Sequence, residues 1–255
     1  MLLVVDVGNT NTVLGLFDGS QLIHQWRIST IQRTTDEFGL LVLQLLKHQG
    51  VDVGRVKGVA IGTVVPSVLY AIEKAARRYL SATARVVDPR NSPILPMKVD
   101  NPAEVGADRV INAVAALARY PAPLVVVDFG TATTFDCVDA SGAYVGGCIA
   151  PGLQISADAL FTRTSRLPRV DVQKPKAAIG TNTVNAMQSG IFWGYVGLVD
   201  GLARRCKEEL GPQVRCVATG GLSNLVGRAC VEIDEVDESL TLHGLRLCFE
   251  RLESL

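Results

Sequence analysis

Two stretches of the chain place a carboxylate, a glycine and small polar residues directly after an apolar run. One is LLVVDVGNTNTV at residues 2–13, and the other is LVVVDFGTATTF at residues 124–135. An offset of 122 residues aligns three pairs: Asp6 with Asp128, Gly8 with Gly130, and Thr12 with Thr134. Because the apolar approach, the polar crossing and the return to apolar residues all occur twice, the pattern predicts an internal duplication.

This pattern suits the binding of a polyphosphate. Glycine lacks a Cβ atom, so backbone N–H groups near Gly8 and Gly130 can approach an anion closely, and Asn and Thr side chains add donors. The carboxylates of Asp6 and Asp128 need a cation beside a polyphosphate, since hard cations prefer oxygen ligands. The two segments therefore indicate a nucleotide with a metal ion, although the same residue types also form ordinary hairpin turns.

A third segment, VATGGLS at residues 217–223, ends an apolar run with Gly220 and Gly221. Two glycines at a strand end can turn tightly against a flat base or a ribose. Taken alone, the segment is more typical of a plain turn from a strand to a helix, and the other segments are what favour a role in binding.

A fourth segment, EVGADRVINAVAAL at residues 104–117, carries two charges among apolar residues. If Asn101 caps the helix, Asp108 and Arg109 lie in its second turn, and Arg109 has no acidic partner three or four residues away. One interpretation is a carboxylate base beside an anion-binding guanidinium, and the other is a salt bridge to another element.

The elements that position these segments alternate between strands and helices. In the first part, Thr34 and Glu37 form a predicted capping box, and Pro66 starts a second helix. Further predicted elements are a strand at 56–65, a helix at 67–80, a strand at 85–88, a proline-rich loop at 89–97 and a helix from Asn101 to about Arg119.

The second part repeats this order after a boundary at Tyr120-Pro121-Ala122-Pro123. It has predicted strands over 124–149, helices near 151–160 and 182–210, a basic loop at 162–178, a strand at 214–221 and a helix after Leu240. Turns are expected at Asp18-Gly19 and Ser141-Gly142. The sequence thus predicts a duplicated α/β protein, with halves at residues 1–119 and 120–255 and a cleft between them.

Composition narrows the classes of function. The 25 basic residues balance the 25 acidic ones, so we expect no nucleic-acid partner and no attraction to acidic membranes. No apolar run approaches a membrane span, and the first ten residues lack a signal-peptide pattern, so we expect a cytoplasmic protein. The six cysteines have no C-x-x-C pair and the three histidines are far apart, which favours small core residues in a reducing cytosol over a metal site.

Glycines recur at helical spacing in TVNAMQSGIFWGYVGLVDGLARR, at Gly190, Gly194, Gly197 and Gly201. Each interior glycine costs a helix about 1 kcal/mol relative to alanine, so close approach of another helix is a reason to keep them. Internal packing and a dimer interface both explain the stripe.

Together, DVGNTNT (6–12), GADR (106–109), DFGTATT (128–134), GTNTVNAMQSGIFWGYVGLVDG (180–201) and TGG (219–221) resemble the type III pantothenate kinases. These enzymes belong to the superfamily of acetate kinase, sugar kinases, Hsc70 and actin. The resemblance covers nearly the whole chain and implies two ribonuclease H-like, actin-like ATPase domains. It also implies phosphorylation of the primary hydroxyl of pantothenate by ATP, as the first committed step toward coenzyme A.

The resemblance also implies roles for individual residues. Asp108 would be the general base, Asp128 would hold a monovalent cation (K⁺ or NH₄⁺), and Asp6 is a candidate for Mg²⁺. ATP would contact Asp6, Val7, Gly8, Asn9, Thr10, Asn11, Thr12, Val13, Thr131, Gly220 and Gly221. Pantothenate would contact Val99, Gly106, Ala107, Asp108, Arg109 and Thr183.

Thr183 would act from the other subunit of a homodimer, because the family is dimeric with its site at the subunit interface. The family often carries an aromatic residue at the position of Val99, so substrate packing there departs from the pattern. Two rivals stay open: another kinase or phosphatase of the superfamily, and an ATP-binding regulatory protein that has lost the reaction.

Overall fold

A computed structural model describes residues 1–88 and 94–254. It contains two five-stranded mixed sheets. The first comprises β1 (Leu2–Val7), β2 (Asn11–Asp18), β3 (Gln21–Ser29), β4 (Gly58–Thr63) and β5 (Thr83–Val86), in the spatial order β3-β2-β1-β4-β5. Strands β1, β2 and β3 are antiparallel neighbours, whereas β4 and β5 run parallel to β1.

The second sheet repeats this arrangement. It comprises β6 (Leu124–Phe129), β7 (Ala132–Val138), β8 (Tyr144–Pro151), β9 (Arg215–Gly220) and β10 (Glu235–Val236), in the order β10-β9-β6-β7-β8. Strands β6, β7 and β8 are antiparallel and β9 is parallel to β6, as in the first sheet. The duplication predicted from the two polar segments is therefore confirmed at the level of whole sheets.

Local sequence explains most of the elements. The hairpins β2–β3 and β7–β8 turn at Gly19 and Gly142, whose φ angles of 57° and 79° favour glycine, as predicted. The capping box is present, since the Glu37 N–H donates to the Thr34 hydroxyl and the Thr34 N–H donates to the Glu37 carboxylate. Pro66 begins the second helix.

Seven α-helices accompany the sheets in the described part of the chain. They are α1 (Thr35–His48), α2 (Pro66–Leu80), α3 (Ala107–Arg119), α4 (Leu153–Thr162), α5 (Thr183–Leu210), α6 (Ser223–Val226) and α7 (Leu240–Glu253). Within this part of the chain, none of them has the length and apolar character of a membrane span. The expected cytoplasmic location stays a prediction.

The predicted helix from Asn101 is wrong at its start. The Asn101 side chain accepts from the Ala103 N–H, and the chain forms only a short 3-10 turn at Pro102–Glu104. Val105 then has extended backbone angles, so α3 begins at Ala107. Asp108 consequently lies in the first turn of α3 and not in a second turn. Of the predicted loop at 89–97, residues 89–93 lie outside the described residues.

The chain divides into two compact units. The first contains Met1–Leu95, Asn101–Ala115 and Thr241–Leu255, and the second contains Pro96–Asp100 and Ala116–Leu240. These bounds differ from the predicted halves chiefly because α7 belongs to the first unit. Its Phe249 and Leu245 lie directly over Gly58 and Gly62 of β4, where a Cβ atom would be 2.6 Å and 3.0 Å away.

Candidate active site

The first polar segment is the turn of the β1–β2 hairpin. Asp6 is partly buried near the end of β1, and the Gly8 N–H donates to the Asn11 carbonyl over 3.0 Å. The side chains of Asn9 and Thr10 at the tip are exposed. The hairpin and phosphate-loop interpretations are therefore compatible, since the hairpin turn places polar groups at the end of the strand.

Thr30, the residue directly after β3, holds this loop in place by hydrogen bonds. The Thr30 hydroxyl donates to the Gly8 carbonyl over 2.7 Å and lies 2.9 Å from the hydroxyl of Thr12. The Thr30 N–H donates to the Thr10 carbonyl over 2.9 Å. Sequence reasoning missed Thr30, because its relation to the loop arises only from the pairing of β2 with β3.

The second polar segment forms a tighter turn between β6 and β7. The Gly130 N–H donates to the Ala132 carbonyl over 3.1 Å, so this turn is one residue shorter than the first. The shorter turn places Thr133 at the position that Thr12 has in the first hairpin. The alignment of Thr12 with Thr134 is therefore wrong by one residue.

Neighbouring elements of the second unit hold the second loop. Gly152, just before α4, packs so closely on the loop that a Cβ atom there would collide with the Thr131 carbonyl. The hydroxyl of Thr133 is 2.5 Å from that of Tyr195 on α5, which donates to the Pro151 carbonyl over 3.0 Å. The second loop is thus packed against β8, α4 and α5.

Asp128 and Thr219 are register partners on the parallel strands β6 and β9, so their side chains share one face of the sheet. Gly220 has a φ angle of 93°, and a Cβ atom there would collide with the Asp128 carboxylate and lie 2.6 Å from the Phe129 nitrogen. Only glycine fits this position, because of both its positive φ angle and the closeness of Asp128. Gly221, one residue further, is exposed.

The Thr219 hydroxyl is fully buried and has no hydrogen-bond partner among residues 1–88 and 94–254. A buried hydroxyl without a partner costs about 1–3 kcal/mol, so its retention beside Asp128 needs an explanation. Sequence reasoning did not single out this residue. A threonine at the end of the apolar run CVAT is the signal that could have found it.

Asp108 and Gly106 fit together at the start of α3. The Arg109 N–H donates to the Asp108 carboxylate over 2.9 Å, and a Cβ atom on Gly106 would lie 2.5 Å from that same oxygen. Burial raises the pKa of Asp108, and the hydrogen bond and the charge of Arg109 offset part of that rise. The result is a carboxylate that is a stronger base than an exposed one.

Thr183 opens α5 beside an open groove in the second unit. Asn182 caps the helix, and the groove of about 550 Å³ is lined by both residues together with apolar side chains such as Leu160 and Met187. Val99 lies elsewhere in the same unit, beside Gly146 of β8. The predicted pantothenate contacts are therefore divided, because Gly106 to Arg109 belong to the first unit.

The glycine stripe of α5 makes no close contacts within the described chain. All four glycines are exposed, and a Cβ atom added to any of them meets no atom within 4 Å. Thr183 precedes Gly190 by seven residues and so lies on the same face of the helix. Internal packing among the described residues does not account for the stripe.

Comparisons with known proteins agree with the resemblance. The family model described as type III pantothenate kinase matches residues 2–205. The chain is 50% identical over 265 residues to the type III pantothenate kinase of Koribacter versatilis, covering 100% of this chain and 97% of that protein. It is 51% identical over 252 residues to that of Syntrophotalea carbinolica, covering 98% and 99%.

Solved structures share the fold at low sequence identity. A conserved putative Baf family transcriptional activator from Campylobacter jejuni has a TM-score of 0.59 at 18% identity, covering 99% of this chain and 100% of that one. An inorganic polyphosphate/ATP-glucomannokinase from Arthrobacter has a TM-score of 0.52 at 14% identity, covering 100% and 99%. The predicted α/β fold with ribonuclease H-like, actin-like ATPase domains is confirmed.

Proposed function

The chain belongs to the type III pantothenate kinases, and we propose that Asp108 is the general base with which it phosphorylates the primary hydroxyl of pantothenate. The reaction uses ATP with a divalent metal ion and is the first step of coenzyme A biosynthesis. The observation that carries the assignment of the base is the partly buried Asp108 carboxylate, held at the start of α3 against Gly106.

In phosphoryl transfer the protein takes little part in the covalent chemistry. Catalysis depends mostly on positioning the reactants and on electrostatic stabilisation of the transition state. Asp108 accepts the hydroxyl proton as the new oxygen–phosphorus bond forms. Its raised pKa makes proton acceptance more favourable near neutral pH. Arg109 binds the carboxylate of pantothenate, and the backbone of Gly106 and Ala107 lines the same contact.

The decisive experiment compares Asp108→Asn with Glu104→Gln, a neighbouring exposed carboxylate. We expect Asp108→Asn to lower turnover by about 10²–10⁴-fold while leaving ATP binding unchanged. Because the folded-state pKa is raised, the ionised carboxylate destabilises the fold above that pKa, so the variant should also melt at a higher temperature at pH 7. An Asp108→Asn enzyme with near-normal turnover would disprove the base.

The pH dependence of the wild type provides a second check. The base works only when ionised, so kcat/KM should fall as the pH is lowered through the raised pKa of Asp108. Assays of pantothenate, a sugar and acetate in parallel separate this enzyme from other kinases of its fold. Binding of ATP without transfer to any of these acceptors would indicate a regulatory protein instead.

The first hairpin is suited to the phosphates of ATP. Its Gly8 N–H is already used within the turn, so the exposed polar groups of Asn9, Thr10 and Asn11 are the proposed contacts, with Val7, Thr12 and Val13 as the backbone that carries them. Thr131 of the second loop contacts the nucleotide from its own unit. Gly220 and Gly221 are proposed to lie against its adenosine part.

Asp6 suits Mg²⁺ because this ion is usually held by one or two carboxylates together with the phosphates of its nucleotide. Among the described residues, no group of three or more His, Cys, Asp or Glu side chains could hold a metal ion. A single carboxylate therefore matches a metal that arrives with ATP. When bound, Mg²⁺ neutralises charge on the transferring phosphate.

Asp128 and Thr219 suit a monovalent cation. The carboxylate shares one face with the buried hydroxyl, which has no hydrogen-bond partner in the described part of the chain, and both offer the oxygen atoms that K⁺ requires. We expect K⁺ or NH₄⁺ to raise both the activity and the melting temperature, whereas Na⁺ does neither. In Thr219→Val, which keeps the side-chain shape, the rise in melting temperature with K⁺ should be smaller, and an unchanged rise would exclude Thr219 as a ligand.

The open stripe on α5 favours a homodimer in which the stripe faces the same stripe of a second copy. Trp193 and Val184 on this helix are 40% and 42% exposed, which adds apolar surface nearby. Thr183 lies on the same face and would contact pantothenate in the partner's site. In sedimentation, Gly194→Leu should dissociate the dimer, whereas Lys74→Leu on the exposed face of α2 should leave it intact.

A further inference from the structure

Three cysteines that are far apart in sequence come together in the second unit. They are Cys137 on β7, Cys148 on β8 and Cys206 on α5. The sulfur atoms of Cys148 and Cys206 are 3.9 Å apart, and the Cys137 thiol is hydrogen-bonded to Cys206. The structure describes all six cysteines, and no disulfide joins any of them.

The three thiols differ in access. Cys137 and Cys206 are buried, at 7% and 8% exposure, whereas Cys148 is only partly buried on the outermost strand of its sheet. A reagent from solvent therefore meets Cys148 first. The cluster does not have the geometry of a metal site among the residues that the structure describes.

The thiols differ in acidity as well. The hydrogen bond from Cys137 is the largest effect that lowers the pKa of Cys206, to about 7, against a burial effect that raises it. The pKa of Cys137 is raised by the same hydrogen bond. By contrast, burial raises the pKa of Cys230 to about 12. Of Cys137 and Cys206, Cys206 is thus the more acidic thiol, and the thiolate is the reactive form of a cysteine.

We propose that Cys148 and Cys206 are a redox-responsive pair that forms a reversible disulfide on exposure to hydrogen peroxide, with Cys137 as the residue that positions and polarises Cys206. The sulfur separation of 3.9 Å has to shorten to about 2.05 Å, and the partly exposed side chain of Cys148 is freer to move than the buried one of Cys206. The bond would join β8 to α5, the two elements that hold the second loop through Pro151 and Tyr195.

The chemistry is a two-step oxidation in which peroxide is the oxidant. Cys148, the thiol that a reagent from solvent reaches first, loses its proton and attacks one oxygen of hydrogen peroxide, which gives a sulfenic acid at Cys148 and releases hydroxide. The Cys206 thiolate then attacks the Cys148 sulfur, forms the sulfur–sulfur bond and displaces a second hydroxide. With the two thiol protons, the products are one disulfide and two water molecules.

The test treats the full-length protein with hydrogen peroxide, alkylates the remaining thiols and identifies the linked peptides by mass spectrometry. Chymotrypsin is the suitable protease, because cleavage after Tyr144 separates Cys137 from Cys148, whereas trypsin would leave both on one peptide. We expect a Cys148–Cys206 link, the loss of two hydrogen atoms from the intact mass, and full reversal by dithiothreitol.

Single cysteine variants test the role of each thiol in forming the disulfide. Cys148→Ser and Cys206→Ser should abolish the link, and Cys230→Ser, a buried thiol outside the cluster, should leave it unchanged. Cys137→Ala should slow its formation severalfold, while Cys137→Ser, which keeps a hydroxyl donor, should restore most of the rate. Equal rates in these two variants would remove Cys137 from the proposal.

The wild-type protein alone keeps the proposal falsifiable if a serine variant fails to fold. Irreversible sulfinic acids without any link, or a Cys137–Cys206 link in place of the expected one, would overturn it. So would alkylation of Cys148 and Cys206 that peroxide leaves unchanged.

Discussion

The two hairpin loops have a common origin in the duplicated sheets, yet different parts of the protein hold them. The first loop is held by side-chain hydroxyls of its own sheet, through Thr30 and Thr12. The second is shorter and is held by close packing of Gly152 and by Tyr195 of α5. Duplication thus preserved the strands but not the contacts that fix each loop.

This difference indicates that the two loops have different functions. The first loop ends in exposed polar side chains and has few packed neighbours, which suits contact with a ligand that arrives from solvent. The second loop leads from a carboxylate that is enclosed by Gly220 and accompanied by the buried Thr219 hydroxyl. It therefore suits an ion that needs a rigid site. Substitutions at single positions test each half of this comparison.

Gly220→Ala should have the largest effect on the second loop. The new methyl group would collide with the Asp128 carboxylate, and the φ angle of 93° would add about 1–3 kcal/mol of backbone strain. We expect kcat/KM to fall by about 10²-fold, as for a catalytic group misplaced by about 1 Å, together with loss of activation by K⁺. Steady-state kinetics in K⁺ and Na⁺ buffers measure both.

Gly221→Ala is the matched control for this prediction, because Gly221 is exposed and its φ angle is not positive. Similar losses in the two variants would mean that the glycine pair acts through loop flexibility and not through the space it leaves for Asp128.

Gly152→Ala should affect the second loop by packing alone. Gly152 has ordinary backbone angles for any residue, at φ −65° and ψ 157°, so the cost comes from collision with the Thr131 and Gly130 carbonyls and not from backbone strain. We expect about a tenfold rise in the KM for ATP, equivalent to about 1.4 kcal/mol. Gly54→Ala, in the 3-10 turn that follows α1, is the control, since its Cβ atom would lie an ordinary 3.4 Å from the Asp52 carboxylate and far in sequence from either loop.

Features encoded by neighbouring residues could be predicted from the sequence. The apolar runs before Asp6 and Asp128 predicted β1 and β6, and the Thr34–Glu37 capping box predicted α1, because propensity and pattern act over a few residues. The prediction of a helix starting at Asn101 failed because the local pattern is ambiguous there. An asparagine side chain closes a short turn as readily as it caps a helix.

Contacts between residues that are far apart in the sequence could not be predicted. Thr30, Gly152 and Tyr195 reach the loops only after strands and helices have packed, and no local pattern marks them. The same holds for the thiols of Cys148 and Cys206, which are separated by 58 residues and meet only because α5 packs against the sheet that contains β8. The offset that aligned Thr12 with Thr134 failed because the second turn is one residue shorter, which shifts the register of the following strand by one residue.

Thr30→Val should have the smallest effect of the three, and it tests the first loop. Valine keeps the side-chain volume but removes the hydrogen bond to the Gly8 carbonyl and the contact with the Thr12 hydroxyl, while the backbone N–H of residue 30 still holds Thr10. A net loss of about 0.5–1.5 kcal/mol corresponds to a rise of roughly twofold to thirteenfold in the KM for ATP.

Because the loop should loosen without moving Asp108 or Asp128, we expect kcat and the activation by K⁺ to stay close to normal in Thr30→Val. Thr30→Ser, which retains the hydroxyl, should recover the KM for ATP. Thr30→Val could instead lose its activation by K⁺, as Gly220→Ala is expected to do. In that case the conformation of the first loop and the binding of K⁺ would depend on each other. The assignment of different functions to the two hairpins would then be wrong, and both loops would have to serve one common function.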